Sequence, residues 1–273
     1  MSTPLGKIGI WRAAAQLDAE LAAEVERLGY GTVWVGGSPP ADLGIVERLL
    51  DATREITVAT GIVNIWNSPA EAVAESFHRI DDKHPGRFLL GIGAGHREAN
   101  TDYRKPYQAL VDYLDVLDAA EVPKSQRVLA ALGPKVLQLA RDRAAGAHPY
   151  LTTPEHTRSA REIVGDALLA PEQKVVVDTD PQRARATGRE SVSMYLNLVN
   201  YTRNLERHGF SAEDVTPPGT ERLVDALALH GTAEQIAGGI SAHLQAGADH
   251  VSVQVLGDPV PAYRELSQAL QLR

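Results

Sequence analysis

The chain has 273 residues, no cysteine, and 35 acidic against 27 basic side chains, for a formal net charge of −8. The missing cysteine excludes a disulfide framework, a thiolate nucleophile and thiolate-held zinc. The acidic balance, with no basic run beyond short Arg/Lys pairs, argues against a nucleic-acid partner. The opening MSTPLGKIGIW lacks the apolar core of a signal peptide, and no window approaches roughly 18 uninterrupted apolar residues. A cytoplasmic protein with no membrane span is the expectation.

Short apolar runs alternate with helical patterns from end to end. The runs predict strands at Lys7–Trp11, Thr32–Val35, Ile56–Val63, Phe88–Gly93, Arg127–Leu132, Ala147–Leu151, Lys174–Asp178 and His250–Val255. They are rich in Val, Ile and Leu rather than alternating with polar residues, as strands buried on both faces of a parallel sheet are. Between them, Leu17–Gly31 carries apolar residues at helical spacing and a stop at Gly29. Ser68, Pro69 and Glu71 predict a capping box with a proline start. Helices are also predicted after Gly133, Thr153 and Thr232, the two threonines as N-caps. The stretch His208–Gly231, with Pro217, Pro218 and Gly219, predicts a long loop and a short extra helix. Eight β-then-α units in order predict a (β/α)8 TIM barrel, one α/β domain spanning 1–273; the length fits, since such barrels run to about 250 residues. A doubly wound open sheet is the alternative.

In a barrel the chemistry sits at the C-terminal ends of the strands. There the sequence offers Trp11 and Arg12, then Gly36, Gly37 and Ser38, then Gly61, Asn64 and Trp66. Further strand ends offer Gly95, His96 and Asn100, Gly133, His148 and Tyr150, Asp178, and Gln254. No carboxylate pair suits sugar hydrolysis. No HxH pair or His/Asp cluster suggests a metal, and no GxSxG elbow is present. Glycines, aromatics, Asn and single histidines suit a bound planar cofactor better than a hydrolytic mechanism driven by side chains. Gly133, Pro134 and Lys135 open a helix after a strand, where free N–H groups and the helix dipole favour an anion; a plain strand-to-helix turn reads the same way. The spacing of Gly91, Gly93 and Gly95 is GxGxG, not GxGxxG, and fits either a close backbone approach to a ligand or a tight turn.

Four pieces, in order, resemble the bacterial luciferase-like superfamily, and most closely its branch that uses the deazaflavin coenzyme F420. They are GYGTVWVGG, VATGIVNIWNSPAEAVAESFHRIDDKHPGRFLLGIGAGH, ALGPKVLQLARDRAAGAHPY and LHGTAEQIAGGISAHLQAGADHVSVQ, together well over half the chain. The resemblance implies a barrel that seats an isoalloxazine or deazaflavin ring at its C-terminal mouth. It implies a non-prolyl cis peptide at Gly61–Ile62 behind the ring, with Val63 beside it and Asn64 at the ring edge. Gly93 and Gly95 would let the backbone pass close to the ring. His96 would face the pocket, or else cap the following helix. Gly133, Pro134 and Lys135, with Gly146, Ala147 and His148, would hold the phosphate tail.

His96 or Trp66 would lie on the substrate side, whereas Trp11 fits barrel packing as well as the mouth. One departure stands out. Glucose-6-phosphate dehydrogenases of the superfamily carry Asp-His at the end of strand two, and Gly37-Ser38 stands there in this chain. Sugar-phosphate oxidation by that route is not expected. An oxidoreductase that moves a hydride between the deazaflavin C5 and a small organic substrate is the leading expectation. An FMN-dependent monooxygenase is the second, and a barrel that binds such a cofactor without turnover is the third. Substrate contacts are expected on Arg97–Tyr103 and His208–Gly231. Members of the superfamily are often dimers, so a homodimer is a further expectation.

Overall fold

The computed structural model describes residues 4–95 and 105–272. The chain opens with β1 (Ile8–Ala13), α1 (Ala19–Arg27), β2 (Thr32–Gly36) and α2 (Gly44–Asp51). Asp18 accepts from the Leu21 N–H and so starts α1; Gly29, at φ +87°, ends it. Next come β3 (Thr57–Thr60), β4 (Val63–Asn64), α3 (Ala70–Lys83), β5 (Phe88–Gly93) and α4 (Pro106–Ala119). The capping box expected at Ser68–Glu71 does not form. Pro69 takes the cap position and no side chain caps α3. Ser68 is consumed by the turn before it, where its N–H donates to the Asn64 carbonyl and its own carbonyl accepts from the Tyr113 hydroxyl.

Then follow β6 (Arg127–Leu129), α5 (Pro134–Arg143), β7 (Gly146–Ala147), α6 (Pro154–Val164), β8 (Leu168–Leu169) and β9 (Glu172–Val177). Thr153 stands at the N-cap of α6, but its hydroxyl makes no capping bond. The last part holds α7 (Pro181–Tyr195), α8 (Val199–Arg207), α9 (Glu221–Leu227), β10 (Ala228–Gly231), α10 (Ala233–Gln245), β11 (Val251–Val255) and α11 (Pro259–Ala269). Thr232 caps α10 in a full capping box with Gln235.

Every strand pair is parallel. Of the 11 strands among the described residues, β4 continues β3, β9 continues β8, and β10 adds to the outside of β9; eight staves remain. The ring closes at the seventh stave. On one side the N–H groups of Leu168, Ala170 and Glu172 donate to Ala145, Ala147 and Pro149. On the other, Leu169 and Pro171 accept from Asp249 and Ser252. Pro171 has no N–H to give, which splits this stave into β8 and β9. The open-sheet alternative is thereby excluded. The seventh stave also starts earlier than the Lys174–Asp178 run suggested, and β10 was not anticipated.

Two apolar layers result. The larger lies between the staves and the helices and includes Val33, Val58, Leu90, Phe77 and Ile240. A small one fills the barrel interior with Trp11, Trp34, Ala59, Leu89, Val128 and Ala170. A third cluster joins α7, α8 and α9 through Val192, Leu196, Tyr201, Leu205 and Leu223. Leu132, Tyr150, Leu151 and Leu256, all just past stave ends, belong to that cluster. The α7–α9 segment therefore roofs part of the barrel's C-terminal mouth.

The barrel interior also holds two histidines beside the Trp34 indole. Trp34 donates from Nε1 to Nε2 of His250 at 3.0 Å, and His250 Nδ1–H donates to the Gly6 carbonyl. His148 stacks on Trp34 with ring centroids 4.0 Å apart and donates from Nδ1 to the Ala170 carbonyl. Burial lowers both histidines to about 4, and lowers His156 and His243 on the helices to about 4 as well. All four are neutral in the fold at pH 7, while the unfolded chain takes up protons near 6.5. Their contribution is complete above pH 6.5 and is lost as pH falls toward 4, at up to about 1.4 kcal/mol per pH unit per histidine. Thermal melts between pH 7 and pH 4 should show the midpoint dropping across this window. A flat profile would contradict the neutral assignment.

Candidate active site

The mouth is organised around one indole. Trp11 leaves the end of β1, and its ring lies over Gly36 of β2, where a Cβ would come within 2.0 Å of it. Gly36 is therefore the residue that admits the ring. The indole Nε1–H donates to the Gly61 carbonyl at 3.0 Å. The Gly61–Ile62 peptide is cis, as anticipated. Gly61 N–H donates to Val35, and β4 then resumes pairing with β5, Val63 opposite Ile92 and Asn64 opposite Gly93. Gly93 gives room to the Ile62 side chain, which lies 3.2 Å from where a Cβ would be. Gly95, at φ +57°, passes over the Asn64 amide. Asn64 is 7% exposed, and its Oδ1 accepts from the Trp66 N–H. Gly61, Ile62, Val63, Asn64, Gly93 and Gly95 thus form one continuous wall. The Trp66 indole N–H donates to the Ala94 carbonyl, so that proton is already engaged in bracing the wall. His96 and the Arg97–Tyr103 segment lie outside the described residues.

The residues expected at the phosphate end divide. Gly133 is the N-cap of α5, with no side-chain cap and Pro134 in the first turn. The Arg207 guanidinium of α8 lies 3.9 Å from where a Cβ on Gly133 would be. Lys135 and Arg207 are both exposed, and neither has a hydrogen bond or ion pair among the described residues. His148 does not join them. Its Nε2, with no hydrogen-bond partner among the described residues, points at Gly61 from 3.2 Å, measured to where a Cβ would be, so it belongs to the wall. Ala147 is buried in the layer between staves and helices.

Across the mouth from the wall stand three tyrosines. Tyr150, past the end of the sixth stave, packs against Trp11 with centroids 5.3 Å apart. Its hydroxyl donates to Gln254 Oε1 at 2.8 Å and lies 3.0 Å from the Tyr195 hydroxyl. Tyr201 meets Tyr195 edge-on at 5.3 Å. Beneath them is a buried ion pair. Lys174 Nζ reaches Glu172 at 3.1 and 3.2 Å and lies 3.8 Å from the Tyr150 ring centroid. Burial pushes Glu172 up and Lys174 down, because each charge lost its water.

Sequence reasoning passed over Lys174, Glu172, Tyr195, Tyr201 and Arg207. Glu172 and Lys174 carried a signal: two charges two residues apart in an apolar strand share one face. The other three sit on the roof helices, and only the tertiary fold brings them to the mouth.

A family model described as luciferase-like monooxygenase matches residues 12–250. The chain belongs to this family. The luciferase-like chain is 32% identical over 102 residues to 4-hydroxyprotoasukamycin monooxygenase of Streptomyces nodosus subsp. asukaensis, an alignment covering 34% of this chain and 26% of that enzyme. The chain therefore spans about a quarter of that relative's length. Among solved structures, an F420-dependent secondary alcohol dehydrogenase in complex with an F420-acetone adduct superposes with a TM-score of 0.77 at 14% identity, covering 100% of this chain and 99% of that one. The oxygenating constituent of 3,6-diketocamphane monooxygenase of Pseudomonas putida, in complex with FMN, does so with a TM-score of 0.69 at 14% identity, covering 96% and 95%. At such identities the likeness is one of fold.

The ion pair under Tyr150 can be tested directly. Lys174→Met strands a buried carboxylate and should cost about 3–5 kcal/mol. Adding Glu172→Gln, which keeps an oxygen for the Leu151 N–H, should recover most of the loss. Urea unfolding of the wild type, both single variants and the double variant measures the coupling; additive losses would contradict a paired charge.

Proposed function

We propose that this luciferase-like chain is an F420-dependent oxidoreductase that exchanges a hydride with a small carbonyl or unsaturated compound at the barrel mouth. The observation that carries the reading is the pairing of a wall at Gly61–Asn64 with two cations, Lys135 and Arg207, that have no partner among the described residues and stand at the N-terminus of α5. The residues present fit the coenzyme. Gly61, Ile62, Val63 and Asn64 would back the ring, Gly93 and Gly95 would flank it, and Gly133, Pro134 and Lys135 would take the phosphate. Reduced F420, when bound, would supply one hydride, and with it the electron pair, from C5.

The chain's own part is then positional. Trp11 holds the Gly61 carbonyl and closes one side of the mouth. Uncapped N–H groups of α5 and the Lys135 ammonium meet the anionic tail. His148, neutral with a free Nε2 lone pair behind Gly61, presents an acceptor and no charge to the wall. The α7–α9 roof keeps water from part of the mouth.

A second reading, an FMN-dependent monooxygenase, is supported by the 32% match to a monooxygenase and by the FMN-bound fold neighbour. Fluorescence-quenching titrations of the chain with F420 and with FMN separate the two. F420 should bind at least tenfold more tightly, and the chain should add no oxygen uptake and no oxygenated product beyond the spontaneous oxidation of free reduced FMN. Arg207→Gln should weaken F420 five- to tenfold, about 1–1.4 kcal/mol, with a shallower salt dependence. Preference for FMN with oxygen uptake would replace the first reading by the second.

A further inference from the structure

We propose that Tyr195 is the proton donor at this site, and that the acceptor it serves is a carbonyl whose oxygen becomes an alcohol. The inference rests on the hydride-transfer reading above and extends it to a residue and a substrate class. The end of the second stave, where Gly37 and Ser38 stand, offers neither carboxylate nor imidazole. The neutral His148 is 2% exposed and lies behind the wall, and the Trp66 N–H is engaged. The Tyr150–Tyr195 pair is different. Both rings are half-buried. Tyr150 rests on Lys174 below and Trp11 beside it, so its open side faces the mouth, and Tyr195 lies alongside at a centroid distance of 5.3 Å.

The hydroxyl geometry assigns the roles. Tyr150 spends its proton on Gln254 Oε1, so Tyr195 donates to the Tyr150 oxygen in the resting state. A carbonyl oxygen that enters the mouth competes for that same Tyr195 proton. The hydride, with its electron pair, forms a C–H bond at the carbonyl carbon. The C=O π pair moves onto oxygen, the Tyr195 O–H bond breaks, and the proton completes the alcohol. The phenolate left behind turns to accept from Tyr150 O–H at 3.0 Å, with the Lys174 ammonium 5.3 Å from its ring centroid. Solvent returns the proton to the half-exposed Tyr195. A phenol suits this task because its acidity lies between water and a carboxylic acid, near what a nascent alkoxide demands.

Among the described residues, the groups that face Tyr195 are Tyr150 from past the end of the sixth stave, Tyr201 from α8, Lys174 and Glu172 from β9, and, through Tyr150, Gln254 from β11. Burial raises the Tyr195 phenol, and the Tyr150 hydrogen bond opposes that rise.

The test uses the full chain with reduced F420 and cyclohexanone, and also the cofactor-free chain with carbonyl-13C cyclohexanone. Tyr195→Phe should cut turnover at least 100-fold and leave the F420 dissociation constant and the melting temperature unchanged. Tyr150→Phe should cost about tenfold and move the alkaline limb of the kcat–pH profile upward, because the phenolate loses its donor. In the cofactor-free chain the bound carbonyl resonance should shift downfield, and Tyr195→Phe should abolish that shift. Failure of the wild type to bind F420 would overturn the coenzyme reading but leave the carbonyl shift as a test of Tyr195. Unchanged turnover or an unchanged shift in Tyr195→Phe would overturn the inference. So would cofactor binding without reduction of cyclohexanone.

Discussion

The hydrogen bond from the Trp11 indole to the Gly61 carbonyl is the tie on which the mouth depends. It links the first stave to the third across the glycine of the second. Parallel staves alone would leave the β3–β4 break free to follow its own backbone, since Gly61 and Ile62 pair with neither neighbour through a regular ladder. The indole gives that carbonyl a fixed donor. Its ring also provides the surface against which Tyr150 packs, so the wall on one side and the tyrosines on the other take their spacing from the same side chain. A Cβ at position 36 would displace that ring and both sides with it.

The interior beneath is a place where charge is expensive. Two histidines are held neutral there through single donor–acceptor assignments, each imidazole giving one proton to a backbone carbonyl. One carries its other nitrogen into the Trp34 indole; the other leaves it free behind Gly61. The Lys174–Glu172 pair is the exception, and its net charge is zero. Such a pair adds little to stability compared with an apolar substitute, because desolvation offsets the attraction. Its effect is local. The ammonium fixes the Tyr150 ring from below, and with it the hydroxyl that meets Gln254 and Tyr195.

The barrel was legible because its signal is periodic. Eight apolar runs separated by amphipathic segments leave few topologies, and β5 falls at Phe88–Gly93 as read. The Gly61–Ile62 bond and the Gly133 cap were legible from resemblance and helix grammar. The errors have physical sources. Ser68 looked like a cap because serine, proline and glutamate stood at the right offsets, but the turn after Asn64 had already claimed its backbone. Leu168–Leu169 went unread because Pro171 cuts the stave into fragments shorter than a pattern can register. The resemblance groups His148 with Gly133 at the phosphate end, whereas its ring lies in the barrel, stacked on Trp34. The residues at the α7–α9 roof, Arg207 and Tyr195 among them, are far from the mouth in sequence. No local pattern marks a helix that folds back over a barrel.

That separation explains a division of labour. The staves supply rigid parts: a wall made largely of backbone, neutral imidazoles and one compensated ion pair. Side chains able to meet charge or give a proton reach the mouth from elements outside the ring, Arg207 from α8 and Tyr195 from the end of α7. A wall of backbone discriminates poorly among compounds, since it presents shape and few hydrogen-bonding side chains. The roof helices contact the barrel mainly through their own apolar cluster, so their polar positions can vary without disturbing the staves. A fold arranged this way can keep its wall constant while the side chains of the roof vary. The same logic predicts where two luciferase-like barrels of different specificity should differ: on the faces of α7 and α8 that carry Tyr195 and Arg207, rather than in the staves beneath.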